Sequence, residues 1–175
     1  MSVKAIKIDK IEYGTYGDGV IPTSWTELTD AIVEDSVVFN FSDPTETPLK
    51  QETSKNPFHI VLTKEDPDSI EFALYAPSAA TLGVLMGGTV STDAWSEATT
   101  IPEIYKSWKI STEESEDVEH VEYTILNGKT YARFDQSPGK KKAETVLVKV
   151  IKEAAITALG VENPGFTRNI IDDTP

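Results

Sequence analysis

"SIEFALYAPSAATLGVLMGG", Ser69 to Gly88, changes character halfway along. Its opening, Ser69 to Tyr75, is aliphatic and aromatic in the manner of a β-strand. After Ala76-Pro77 the pattern turns helical. Ser78 stands where a cap is needed, and Ala79 and Ala80 favour helix. Leu82, Leu85 and Met86 recur at the i, i+3, i+4 spacing that lays one apolar stripe on a core. Gly87-Gly88 then stops the helix, the first glycine being able to take the left-handed conformation of a helix end. Gly83 costs such a helix about 1 kcal/mol relative to alanine, so packing must hold it. Leu82, Leu85 and Met86 are the expected packing residues, set against the mouth or flank of a sheet.

Outward from this stretch the chain reads as strands and turns. "VKAIKI" (Val3 to Ile8) is a first strand, and an arm over residues 10–24 follows, marked by Gly14, Gly17, Gly19 and Pro22. "SVVFNF" (Ser36 to Phe41) and "FHIVLT" (Phe58 to Thr63) are β-branched and aromatic, and "KEDPD" makes a turn between "FHIVLT" and "SIEFALY". Between the first two, residues 43–57 hold three prolines and a single aliphatic residue, Leu49. This composition predicts a long loop or extended hairpin projecting from the sheet. Pro48, Leu49, Lys50 and Lys55 are its candidate contact residues. "HVEYTILNGKTYARF" (His120 to Phe134) predicts a hairpin turning at Asn127-Gly128, a pair suited to a type I′ turn. "AETVLVKVIKEAAI" (Ala143 to Ile156) is continuous and β-branched enough for a long strand, with a helix as the alternative. Residues 161–175 read as an irregular tail. The expected fold is mainly β: a β-sandwich or β-barrel over residues 1–160, with one short flanking α-helix and long projecting loops.

Composition narrows the function. At 175 residues and 39% hydrophobic the chain suits one domain, and a compact chain of this length buries roughly 70% of its unfolded surface. With 29 acidic against 16 basic residues the formal charge is −13, which disfavours wrapping by nucleic acid or docking on anionic lipid. Cysteine is absent, which removes disulfides, thiolate metal sites and a cysteine nucleophile. "MSVKAIKIDKIEYG" has no apolar signal core and no run approaches a membrane span, so a cytoplasmic chain with no membrane partner is expected.

No motif supplies a reaction centre. The two histidines, His59 and His120, lie in predicted strands without ligand spacing. Glu65, Asp66 and Asp68 lack the twelve-residue loop of a calcium site, and read as a solvated turn. The carboxylates Glu113, Glu114, Glu116, Asp117 and Glu119 form a mutually repelling run in which none is marked as buried. "YGTYGDG" has glycines without the lysine or strand-turn-helix frame of a phosphate loop. Lys140 to Lys142 are a short basic patch in an acidic chain, and Asn40-Phe41-Ser42 matches an N-glycosylation acceptor without a secretion signal. Trp25, Trp95 and Trp108 are too dispersed to compose a sugar platform. No catalytic residue, cofactor or metal is expected.

The order of these features resembles the phage major tail tube proteins and, more distantly, the type VI secretion tube proteins. The likeness runs through a first strand, a glycine-rich arm, "SVVFNF", the loop 43–57, the pair "FHIVLT" and "SIEFALY", and then a helix of the Leu-x-x-Leu-x-Gly-Gly type. It covers roughly residues 1 to 160 as architecture, with "SIEFALYAPSAATLGVLMGG" its specific motif. The resemblance implies hexameric rings of one subunit, stacked with other tail proteins into a hollow tube through which DNA passes without specific binding. The location implied is the virion tail, after synthesis in the host cytoplasm. Unlike some tube proteins of long-tailed phages, the chain has only about 15 residues after Gly160, too few for an added immunoglobulin-like domain. A ligand-binding or carbohydrate-binding β-sandwich module is the alternative function, and a small hydrolase acting through the acidic run is a third.

Overall fold

The computed structural model describes residues 7–50, 52, 55–64, 66–114 and 119–172. In chain order the elements are β1 (Ile8–Thr15), β2 (Thr26–Glu27), β3 (Val38–Asn40), β4 (Thr45–Leu49), β5 (His59–Thr63), β6 (Ser69–Tyr75), α1 (Ala79–Met86), β7 (Thr89–Ser91) and β8 (Ala94–Ser96). There follow β9 (Ile104–Thr112), β10 (Glu119–Gln136), β11 (Thr145–Lys152), β12 (Ala155–Ile156), β13 (Glu162–Asn163) and β14 (Phe166–Asp172). The main sheet runs β2-β1-β9-β10-β11-β6-β3, with β14 also paired to β10. Three ribbons, β4–β5, β7–β8 and β12–β13, stand outside it. The fold is mainly β, with one short helix.

β10 turns the sheet into two layers. Its first half, Glu119 to Ile125, pairs with β14, and its second half, Gly128 to Gln136, pairs with β11. β9 runs along the other edge and spans the changeover. There Ile125 faces Trp108 and Gly128 faces Lys106, so Leu126 and Asn127 together oppose Ser107 alone. Such a bulge bends a strand and sharpens its twist. Its backbone groups find partners: the Leu126 N–H donates to the Gly165 carbonyl at 3.2 Å, and the Leu126 and Asn127 carbonyls accept from the Ser107 hydroxyl at 2.6 Å and the Glu153 N–H at 2.9 Å. The Asn127 side-chain N–H donates to the Ala154 carbonyl at 2.9 Å, while its buried oxygen is left without a partner among the described residues. The layers then meet face to face, with Phe72 of β6 edge-on to Trp108 of β9 at 5.5 Å and Phe39 of β3 against Tyr123 of β10 at 4.9 Å. Ile11, Ile110, Leu74, Val146 and Val148 fill the space between them and are buried. The buried indole of Trp108 donates to the Thr130 hydroxyl at 2.8 Å, so its polar edge is satisfied.

α1 is capped as its sequence predicts. The Ser78 hydroxyl accepts from the Thr81 N–H at 3.2 Å, and Gly87 ends the helix at φ +67°, donating its N–H to the Gly83 carbonyl at 3.1 Å. Leu82 and Leu85 are buried and Met86 packs partly buried against the core. Gly83 has a packing reason that propensity alone misses: a methyl there would lie 2.4 Å from Val90 Cγ2, so the β7–β8 ribbon closes over the helix at that point.

Four expectations are corrected. Asn127-Gly128 is not a turn; β10 continues through it, because the pair forms the bulge and Gly128 packs where a methyl would come within 2.5 Å of Val150 Cγ1. Residues 10–15 belong to β1, held by pairing to β9, so the arm over 10–24 begins only after Thr15. The predicted first strand at Val3 to Ile8 lies outside the described residues except for its last two positions. Within the expected tail 161–175, residues 161–172 are not irregular: β14 adds a seven-residue strand to the sheet, its order coming from β10, and residues 173–175 lie outside the described residues. Finally, "FHIVLT" does not pair with "SIEFALY". β6 lies between β11 and β3, while β5 pairs with β4. In segment 143–156 the strand rather than the helix forms, as β11 with Val146, Val148 and Val150 buried in alternation, while Ala155–Ile156 starts the separate β12–β13 ribbon.

Candidate functional site

The projecting element is the extended hairpin of the two forms expected, with β4 and β5 pairing from Thr45–Leu49 to His59–Thr63, so that it runs beyond the expected bounds of 43–57. Pro48 does not prevent the ladder: it lies opposite Ile60, in a ribbon whose two strands are both edges, where proline is tolerated. Directly opposed residues share a face, so Pro48, Ile60 and Leu62 lie on one side, with Glu46 opposite Leu62. Phe58 falls on the same side by alternation. The Phe58, Ile60 and Leu62 side chains are 63%, 47% and 59% exposed, and all five residues of β4 are exposed as well. Leu49 lies opposite His59 on the other face. Lys50 and Lys55, near the hairpin's far end, are exposed and form no ion pair among the described residues.

The base of the hairpin is fixed by a buried carboxylate. Asp68 is 4% exposed and is bridged by the ammonium groups of Lys64, just after β5, and Lys152, at the end of β11. Burial pushes the Asp68 carboxyl up, but hydrogen bonds and charge from Lys152 and Lys64 outweigh it and hold the group below the usual carboxylate range. The Ser42 hydroxyl adds a 2.8 Å bond to the Asp66 carbonyl, tying the entering chain to the leaving one. The hairpin is anchored at its root, and every residue of its two strands except the half-buried Val61 is exposed.

The other candidates disperse. His59 is exposed on β5, and His120 lies on β10 with its Nε2 3.6 Å from the Glu122 carboxylate. Trp108 is core, Trp95 donates its indole N–H to the Gly87 carbonyl at 2.7 Å, and Trp25 lies under Lys109 at 5.1 Å. No two of them share a surface contact. Of the acidic run, residues 115–118 lie outside the described residues, Glu113 is bridged by Lys7, and Glu119 pairs with Asp172 in the sheet. Glu65 also lies outside them, and Asp68 is engaged by lysines rather than open to a cation. Lys140 to Lys142 sit in the exposed turn between β10 and β11. A groove of about 930 Å³ opens between α1 and β10, lined by Leu85, Met86, Ile101 and Tyr131, and its nearest charged pair is Lys129–Glu103 at 2.9 Å. Among the described residues no cluster of three or more histidine, aspartate or glutamate side chains is placed to hold a metal, and no helix is long and apolar enough to cross a membrane.

Sequence reasoning named Pro48, Leu49, Lys50 and Lys55 on the projection but missed Phe58, Ile60 and Leu62, which it assigned to the main sheet. The alternation in "FHIVLT" is real; it does not say which layer, or whether any layer, covers the apolar side. No protein-family model matches the chain, and no curated protein shows detectable similarity to it.

Proposed function

We propose that the protein is a structural subunit of a phage tail tube, not an enzyme, and that it self-assembles into stacked rings forming a conduit for DNA. The observation that supports this reading most is the β4–β5 hairpin, anchored through Asp68, with its apolar residues Phe58, Ile60 and Leu62 exposed on one face. A lone two-stranded ribbon is marginal in water. Phe58, Ile60 and Leu62, each about half exposed, forfeit on it roughly half of the 1.5–3 kcal/mol that full burial of such a side chain returns. A neighbouring subunit supplies that burial, and a ring repeats the gain at every position.

Further support comes from β6 leading into a capped helix that ends at Gly87-Gly88, the motif on which the resemblance rests, and from the projection ahead of it. Hexameric rings and contacts with other tail proteins follow from that resemblance. A charge of −13 per subunit suits a wall past which a polyanion slides without sticking. The location is the virion tail, reached from the host cytoplasm. Replacing Thr45 to Thr63 by a short Gly-Ser turn tests the role of the hairpin. The shortened chain is expected to stay folded by circular dichroism and to lose tube growth in negative-stain images. Tubes of normal length from the shortened chain would place stacking elsewhere.

A further inference from the structure

We propose that a second exposed apolar surface of this chain, built from the loop after β1 and the β12–β13 ribbon, receives the β4–β5 hairpin of a neighbouring copy. The inference rests on the assembly reading above and assigns its partner surface. Val20, Ile21, Ile156 and Val161 are each at least half exposed, and Leu159 is 91% exposed. They come from two distant stretches of chain that the fold fastens together. The Asn163 amide donates to the Gly19 carbonyl at 2.7 Å, and a methyl on Gly19 would lie 2.7 Å from the Ala155 backbone. Val20 and Ile21 therefore ride on the ribbon. Its turn is closed by the Thr157 N–H donating to the Val161 carbonyl and the Gly160 N–H donating to the Thr157 carbonyl, both at 2.8 Å, so Leu159 is displayed on a formed turn. Exposed apolar residues gathered in this way mark an interaction surface.

The occupant is a second copy because the two surfaces match in chemistry. The hairpin carries Glu46 beside Leu62 near its base, while its far end holds Lys50 and Lys55 against Glu52, one net positive charge; the patch is flanked by Asp18, Glu153 and Glu162, none of which forms an ion pair among the described residues. Two copies at −13 repel over most of their surface, and a cationic hairpin end meeting an acidic, apolar patch is an approach along which attraction replaces repulsion. Both surfaces are exposed on the same chain, so the hairpin does not cover its own patch. Unlike surfaces on one chain associate head to tail, the geometry that closes rings or propagates stacks.

Absence of cysteine allows a direct test, since Ile60→Cys and Leu159→Cys each introduce a single thiol at an exposed position. The two variants are mixed at a concentration where sedimentation shows the wild-type chain assembled, then oxidised by air with a copper catalyst and run on a non-reducing gel. A dimer band is expected in the mixture and is lost when either variant is oxidised alone. Dimers of the Ile60→Cys variant with itself would overturn the head-to-tail contact. Assemblies that persist without any dimer in the mixture would overturn the assigned patch and leave the assembly reading standing. A wild-type chain that stays monomeric would overturn both.

Discussion

Gly128 has no room for a side chain, because Val150, Trp108 and the Lys106 carbonyl all stand within 3.1 Å of where a methyl would go. Gly128→Ala is therefore expected to destabilise the fold by about 1–3 kcal/mol through overpacking, read from the urea midpoint. An unchanged midpoint would mean that the β10 bulge relaxes around the methyl. Leu85, with no exposed surface, gives the opposite case: Leu85→Ala should cost about 2–5 kcal/mol through the cavity it leaves. Both residues were visible in the sequence, yet only Leu85 could be interpreted there. Its role follows from its own spacing to Leu82 and Met86, whereas that of Gly128 follows from neighbours on β9 and β11. Asn-Gly is compatible with a turn and with a bulge, and distant packing chooses between them.

The elements separate in the same way. α1, β6 and β11 were legible because capping, alternation and β-branching are local. β14 and the division of β10 between two partners were not, because pairing supplies their order. For the hairpin, local signals placed the projection near residues 43–57 but left β5 in the wrong sheet. Its anchor carries a pH dependence whose sign is fixed. Asp68 titrates below its ordinary value of about 3.9 in the folded chain, so its contribution is fully present above that value and is lost as pH falls through the lower, folded one. Urea melts taken from pH 6 downward should show an acid-side loss that is reduced in Asp68→Asn. Equal acid sensitivity in the two proteins would remove Asp68 as its source. The hairpin amides of the unassembled chain are also expected to exchange with solvent faster than those of β10 and β11, and to become protected on assembly. Protection already present in the monomer would contradict a free ribbon.

For the whole molecule, charge and shape lead to one account. An acidic chain with exposed apolar surfaces is suited to meeting copies of itself while leaving nucleic acid alone. Duplex DNA should show no shift in a mobility assay at physiological salt, since repulsion from a net charge of −13 outweighs Lys140 to Lys142. A salt-sensitive shift would instead describe a nucleic-acid binder. The central claim is self-assembly, and negative-stain microscopy of the purified chain over a concentration series, with sedimentation velocity on the same samples, tests it most directly. The account predicts rings with an open centre that stack into tubes as concentration rises. A single monomeric species throughout the series, with no rings even when tail-initiator proteins are added, would contradict it.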